Sequence, residues 1–248
     1  VESVESNRGF RIDLRSTADP VVLARALGPA ARKYVAPYRF DGPVDVHVRG
    51  VTGDRQGRGR KLKVRLHGYD VGMGATMADT LDLAFAVGTN RVDISQVKCD
   101  WCDGMLDGSG SFDFAPGSSG RTYNATVSLT NASLVDIVRR HVKNAKDVED
   151  YAGRVSGRLE LSGVAATNAL DLARGQGRLR IRKGHLLRMP LFGGLSRYLS
   201  MLLPGFGYAS QGEFNATFKV ADGRIESDDM HLLGQLISLS GKGSVGFD

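Results

Sequence analysis

Two cysteines in 248 residues are too few for a disulfide-stapled scaffold, and they fall short of the second pair a zinc knuckle requires. Histidine is also sparse: the five, at positions 47, 67, 141, 185 and 231, are dispersed without ligand spacing, so no metal site is predicted. Long apolar runs are missing. The longest apolar insert, residues 191–203, makes a helix of roughly 20 Å against a hydrocarbon core of about 30 Å, so it cannot span a bilayer. The opening stretch VESVESNRGFR is polar and has no apolar core of a signal peptide. We therefore expect an excised piece of a longer chain, with its address and any anchor outside it.

Catalytic signatures are missing as well. GKGSVG (241–246) satisfies G-x-G-x-x-G, but only Phe247 and Asp248 follow, which leaves no helix to receive a pyrophosphate. In GDRQGRGRK the last glycine is followed by Arg60 and Lys61, so no phosphate loop forms. No Ser-His-acid set or paired carboxylates can be assembled. The expectation is a non-enzymatic chain with no cofactor.

What the sequence has in quantity is glycine, 32 against 7 prolines, placed at the ends of alternating apolar runs. Alternation marks VDVHVRG (44–50), KLKVRL (61–66), LDLAFAV (81–87), SFDF (111–114), TVSLT (126–130), RLELSG (158–163), RLRIR (178–182) and FNATFKV (214–220), with ISLSG and SVGF closing the chain. Successive strand residues point to opposite faces, so Val44, Val46 and Val48 share an apolar side and Asp45, His47 and Arg49 a polar one. The fold class predicted is mostly β: an antiparallel sheet with one wet face and a few short helices. Helices are predicted at 19–35, with Asp19 as N-cap, Pro20 at N1 and a break at Gly28-Pro29, and at 133–148, with Ser133 as N-cap.

The order of elements repeats. Phe85–Phe114 lies over Phe218–Phe247 without a gap at an offset of 133, and KLKVR falls on RLRIR at 117, while Tyr38 falls on Tyr151 at 113. Two β units are expected, 1–130 and 131–248, within one continuous domain. On this alignment the second unit carries 16 residues that the first lacks, between Arg182 and Phe218. That gap holds LFGGLSRYLSMLLPGFG. As a helix it gathers Leu191, Leu195, Tyr198, Leu199, Leu202 and Leu203 on one side with Phe192 beside them, while Arg188 and Arg197 stand at headgroup level. Such a helix can lie on a membrane, fill an apolar groove or cap the sheet.

Two further features bear on chemistry and partners. C-x-x-C at Cys99 and Cys102 sits in a hairpin, not at a helix N-terminus, which favours a local disulfide or two reduced thiols over redox chemistry or zinc. The net charge of +6 suits an anionic partner, with Lys61, Lys63 and Arg65 on one strand face and Arg178, Arg180 and Arg182 on another. No aromatics interleave with these stripes, so nucleic acid is not the expected partner.

The run from GQGRLRIRKG to GKGSVGF resembles the C-terminal region of the AsmA-like family, the AsmA, TamB and YhdP superfamily of bacterial envelope proteins. The resemblance rests on Gly177, Leu179, Ile181, Gly184, Pro190, the 191–203 segment, Phe218, Asp222, Gly223, Ile225, Leu239, Gly241, Gly243 and Val245. It implies an open, twisted, taco-like half-barrel or groove with an apolar concave side, held to the inner membrane by a segment outside this sequence. It also implies a periplasmic location and a role in carrying phospholipid for outer-membrane biogenesis. The alternative is a structural or assembly module of the envelope with a closed core and no lipid. If the insert is lipid-facing, a photo-crosslinker at Leu195 or Leu199 captures phospholipid in cells, and Leu199→Glu abolishes capture while the strands stay folded. Unfolding by Leu199→Glu with no lipid captured identifies a core cap instead.

Overall fold

The computed structural model describes residues 9–27, 32, 35–54, 57–74, 76–114, 121–141, 152–165, 171–184, 212–234 and 238–247. Among them the first half runs β1 (Arg11–Ser16), α1 (Pro20–Leu27), β2 (Tyr38–Phe40), β3 (Val44–Val51), β4 (Lys61–Met73), β5 (Thr76–Val87), β6 (Arg91–Trp101) and β7 (Gly104–Asp113). The second runs β8 (Thr122–Ser133), α2 (Leu134–His141), β9 (Arg154–Val164), β10 (Arg174–Gly184), β11 (Gly212–Ala221), β12 (Arg224–Leu233) and β13 (Ser238–Gly246). The thirteen described strands form one antiparallel sheet ordered β1-β3-β4-β5-β6-β7-β8-β9-β10-β11-β12-β13, with β2 on β4. The end strands β1 and β13 each have one hydrogen-bonded neighbour, so the sheet is open.

The alternating runs became strands because each supplies one apolar and one polar face to its neighbours. Both predicted caps form: Val21 N donates to Asp19 Oδ1 at 2.7 Å, and Asp136 N to Ser133 Oγ at 3.3 Å. The described helices are shorter than the 19–35 and 133–148 ranges. Residues 28–31, 33–34 and 142–148 of those ranges lie outside the described residues.

By contact the chain divides into two units, Val1–Trp101 with Leu106–Val127 and Ser162–Thr167, and Cys102–Met105 with Ser128–Leu161 and Asn168–Asp248. Their internal pairing repeats. In the first, Thr80↔Asp100, Leu81↔Cys99, Asp82↔Lys98, Ala86↔Asp93 and Val87↔Val92 face each other across β5 and β6. In the second, Glu213↔Leu233, Phe214↔Leu232, Asn215↔His231, Lys219↔Glu226 and Val220↔Ile225 face each other across β11 and β12, every pair displaced by 133. Both ladders slip between the same rungs, where β6 and β12 each carry one residue more than their partner. The same bond also ties the ends: Phe114 N donates to Asn90 O at 2.8 Å, and Phe247 N to Gly223 O at 2.9 Å.

One part of the expected alignment is corrected. Leu62↔Val87, Val64↔Phe85 and Leu66↔Leu83 in the first unit correspond to Gly175↔Val220, Gly177↔Phe218 and Leu179↔Ala216 in the second, so β4 maps on β10 at an offset of 113, not 117. A slip of four residues leaves every side chain on its own face, which is why alternation alone could not detect it. The second unit therefore gains 20 residues between β10 and β11, not 16.

In the second unit α2 supplies the core. Leu134 and Val138 pack with Val155, Ile181, Phe214 and Leu232, ringed by Leu129, Ile137, Leu179, Ala216, Met230 and Leu239. Leu232 is 6% exposed, so Leu232→Ala is expected to lower unfolding free energy by about 2–5 kcal/mol in urea titrations. A loss under about 1 kcal/mol would show that the site collapses onto the space left.

Candidate functional site

Pairing in the first unit lays apolar residues in rows across five strands. One row is Leu14, Val48, Val64, Phe85 and Ile94; the next is Ser16, Val46, Leu66, Leu83 and Val97. Flanking them run Ile12, Gly50, Leu62, Val87, Val92 and, on the other side, Val44, Gly68, Leu81, Cys99. At about 4.8 Å between strands and about 3.4 Å per residue, the rows cover an area about 20 Å on each side. None of their side chains is charged.

Burial along these rows is uneven. Val44 and Cys99 at one end are buried, whereas Val46, Val48, Leu62, Val64, Leu66, Leu83, Phe85, Val92, Ile94 and Val97 remain half-buried, and Leu14 is 56% exposed. A filled protein core leaves such side chains almost no exposure, so this face retains apolar surface in contact with solvent. The matching face of the second unit is buried at the same end, where α2 packs with Ile181, Phe214 and Leu232, the counterparts of Gly68, Leu81 and Cys99.

The charged residues that alternate with these rows stand on the opposite side of the same strands. His47 Nε2 lies 2.7 Å from Asp13 Oδ1 and His67 Nδ1 2.7 Å from Asp82 Oδ1, with Arg49 Nε 3.9 Å from Asp13. The His47 hydrogen bond, reinforced by the charges of His47, Arg49 and Arg15, holds the Asp13 carboxyl below the usual carboxylate range. A shallow depression of about 530 Å³ lies among Arg15, Asp45, His47, Arg65, His67 and Asp82. Lys61, Lys63 and Arg65 are exposed on this face as predicted, but its charge is mixed in sign. The expectation that no aromatic shares it is corrected: Tyr69 follows His67 on β4 and meets its ring edge-on at 5.0 Å.

In the second unit the polar side holds a depression of about 800 Å³ lined by Arg158, Glu160, Gln176, Arg178, Lys219 and Asp229, among others. Asp229 accepts from Thr217 N at 2.8 Å and Thr217 Oγ1 at 2.7 Å, which lowers its pKa. Arg180 pairs with Glu213 at 2.9 Å, so this arginine stripe too is interleaved with acid.

The predicted lipid-contacting residues Leu191, Phe192, Leu195, Tyr198, Leu199, Leu202 and Leu203, with Arg188 and Arg197, lie outside the described residues. The rows above were missed as a set. Their signal, alternation, was visible in each strand, but which strand adjoins which, and in what register, was not.

Cys99 and Cys102 form no disulfide; both are buried thiols. Cys99 sits in an apolar row opposite Leu81, while Cys102 occupies the β6–β7 turn with a left-handed backbone (φ 51°). Burial, aided by Asp100, Asp107 and Asp79, pushes the Cys99 thiol up to about 11, far from the thiolate that redox exchange needs. In the unfolded chain the thiol ionises near pH 8.5, so between that pH and about 11 the folded state binds more protons and stability falls as pH rises. Urea midpoints at pH 8 and pH 10 are expected to show this decline, and Cys99→Ala to flatten it; an unchanged slope in Cys99→Ala assigns the decline to other groups.

No family model matches the chain, and no curated protein or solved structure matches it.

Proposed function

We propose that this chain is a non-catalytic module of the bacterial envelope that binds or conducts phospholipid, seating acyl chains on its apolar sheet face. The observation that supports this reading is the set of uncharged rows in the first unit, left half-buried while the charged residues that alternate with them, such as Asp13, Arg49, Lys63 and Asp82, stand on the other side. Each methylene moved from water onto such a face gains about 0.8 kcal/mol, so a few carbons of contact suffice to hold a chain. The resemblance to AsmA-like proteins supports a periplasmic location at the inner membrane and a role in lipid movement toward the outer membrane.

The second reading, an assembly module without a lipid ligand, is favoured by the core in the second unit, where α2 already occupies the corresponding apolar surface. The two readings separate by face. A photo-crosslinker at Leu83 is expected to capture phospholipid in cells and one at Lys63, on the other side of the sheet, to capture none. Leu83→Glu is expected to reduce phospholipid captured from a crosslinker at Val64 while the β-sheet circular dichroism persists. Equal capture at Leu83 and Lys63, or none at either, supports the assembly reading.

A further inference from the structure

We propose that the outer edge of β13 receives β1 of a second copy of this chain, in the register that β7 and β8 use within the first unit. The repeat supplies the template. β13 occupies in the second unit the place of β7 in the first, and β1 occupies in the first the place of β8 in the second; β7 and β8 are hydrogen-bonded neighbours, whereas β13 and β1 are the two open ends of the sheet.

Glycines carry the inference. A Cβ at Gly110 would stand 2.5 Å from Asn124 O and 3.2 Å from Ala125 Cα, and one at Gly108 would stand 3.4 Å from Thr126 O, so the close approach of β8 accounts for both. Beside them Asn124 Nδ2 donates to Ser111 Oγ at 2.7 Å. The same Gly-x-Gly-Ser recurs at Gly241, Gly243 and Ser244. There a Cβ at Gly241 would meet nothing within 4 Å, and one at Gly243 only the mobile end of Met230. Glycine weakens a strand interior, so two glycines on an edge that no described strand approaches call for a neighbour. A strand approaching as β8 approaches β7 explains them.

The template register places Ser111 opposite Asn124. Carried through the offsets of 133 and 113, it sets Val245 opposite Phe10, Gly243 opposite Ile12, Lys242 opposite Asp13 and Gly241 opposite Leu14. Three features of the edges agree with it. Val245 is 64% exposed, Phe10 53% and Leu14 56%, so both edges leave large apolar side chains in water that this pairing would cover. Lys242 meets Asp13, an opposite-charge pair directly across the rung. Phe10, Ile12 and Leu14 would also meet Val245, Gly243 and Gly241 on the apolar side, continuing the uncharged rows from one copy to the next. The charges that shield an edge from indiscriminate pairing here select the partner. Because the contact joins two different edges, it is heterologous and adds copies head to tail.

The test uses the full chain and is independent of lipid. The double variant Phe10→Cys with Val245→Cys is expected to give a ladder of covalent oligomers on oxidation, whereas Arg15→Cys with Val245→Cys, out of register, gives none. In sedimentation equilibrium Lys242→Asp is expected to raise the dissociation constant at least about tenfold, and Asp13→Lys added to it to restore association. Gly243→Val, which the isolated fold accommodates, is expected to stay folded by circular dichroism and lose association. A chain that is monomeric at every concentration, equal crosslinking of the two cysteine pairs, or association insensitive to Lys242→Asp overturns the proposal.

Discussion

Cross-strand register is the constraint on which everything else in this molecule depends. A strand's side chains alternate between faces, so a slip of one residue would send every valine and leucine of that strand to the polar side and every lysine and arginine to the apolar one. The pairing of Leu14 with Val48, Val48 with Val64, Val64 with Phe85 and Phe85 with Ile94 keeps five strands in phase. The slip at Ser95 in β6 is absorbed locally, because a single unpaired residue restores the phase on its far side. Segregation of charge follows from that phase and needs no separate cause.

Faces were legible in the sequence and neighbours were not. Period-two patterning assigned Val44, Val46 and Val48 to one side correctly, because burial of one face is written into each strand. It could not distinguish an offset of 117 from one of 113 for β4 and β10, since both keep each residue on its own face, although at 113 Leu62 and Val64 fall on Gly175 and Gly177. Strands with weak patterning, such as Gly104–Asp113, were seen only at their SFDF end. Their glycines answer to the close approach of another strand, a long-range fact. Helix starts were legible because a cap is local, as Asp19 and Ser133 demonstrate.

The candidate site was legible in kind and not in place. The sequence directed attention to the apolar insert at 191–203, whereas the described apolar surface belongs to β1 and β3–β6, whose leucines and valines looked like ordinary core. Only exposure distinguishes a core from a binding face, and exposure is set by what lies above the sheet. In the second unit α2 lies there; the half-buried rows of the first unit are the surface on which the functional proposal stands. The cysteines make the same point, since C-x-x-C left disulfide and thiols open until burial and backbone placed one in an apolar row and the other in a turn.

Two units with matching rungs are nonetheless unequal in how they assemble. Nearly every strand pairs with its successor in sequence, so the sheet can grow hairpin by hairpin with short loops to close. β4 and β5 are joined by Gly74 and Ala75 alone, but their counterparts β10 and β11 are separated by residues 185–211. The rung Met73↔Thr76 joins residues 3 apart, whereas Gly184↔Gly212 joins residues 28 apart, and pairing slows as sequence separation grows. The β4–β5 hairpin can therefore nucleate its unit, while β10 must wait for β11 to arrive from a distance, and refolding should begin at the first unit's end of the sheet.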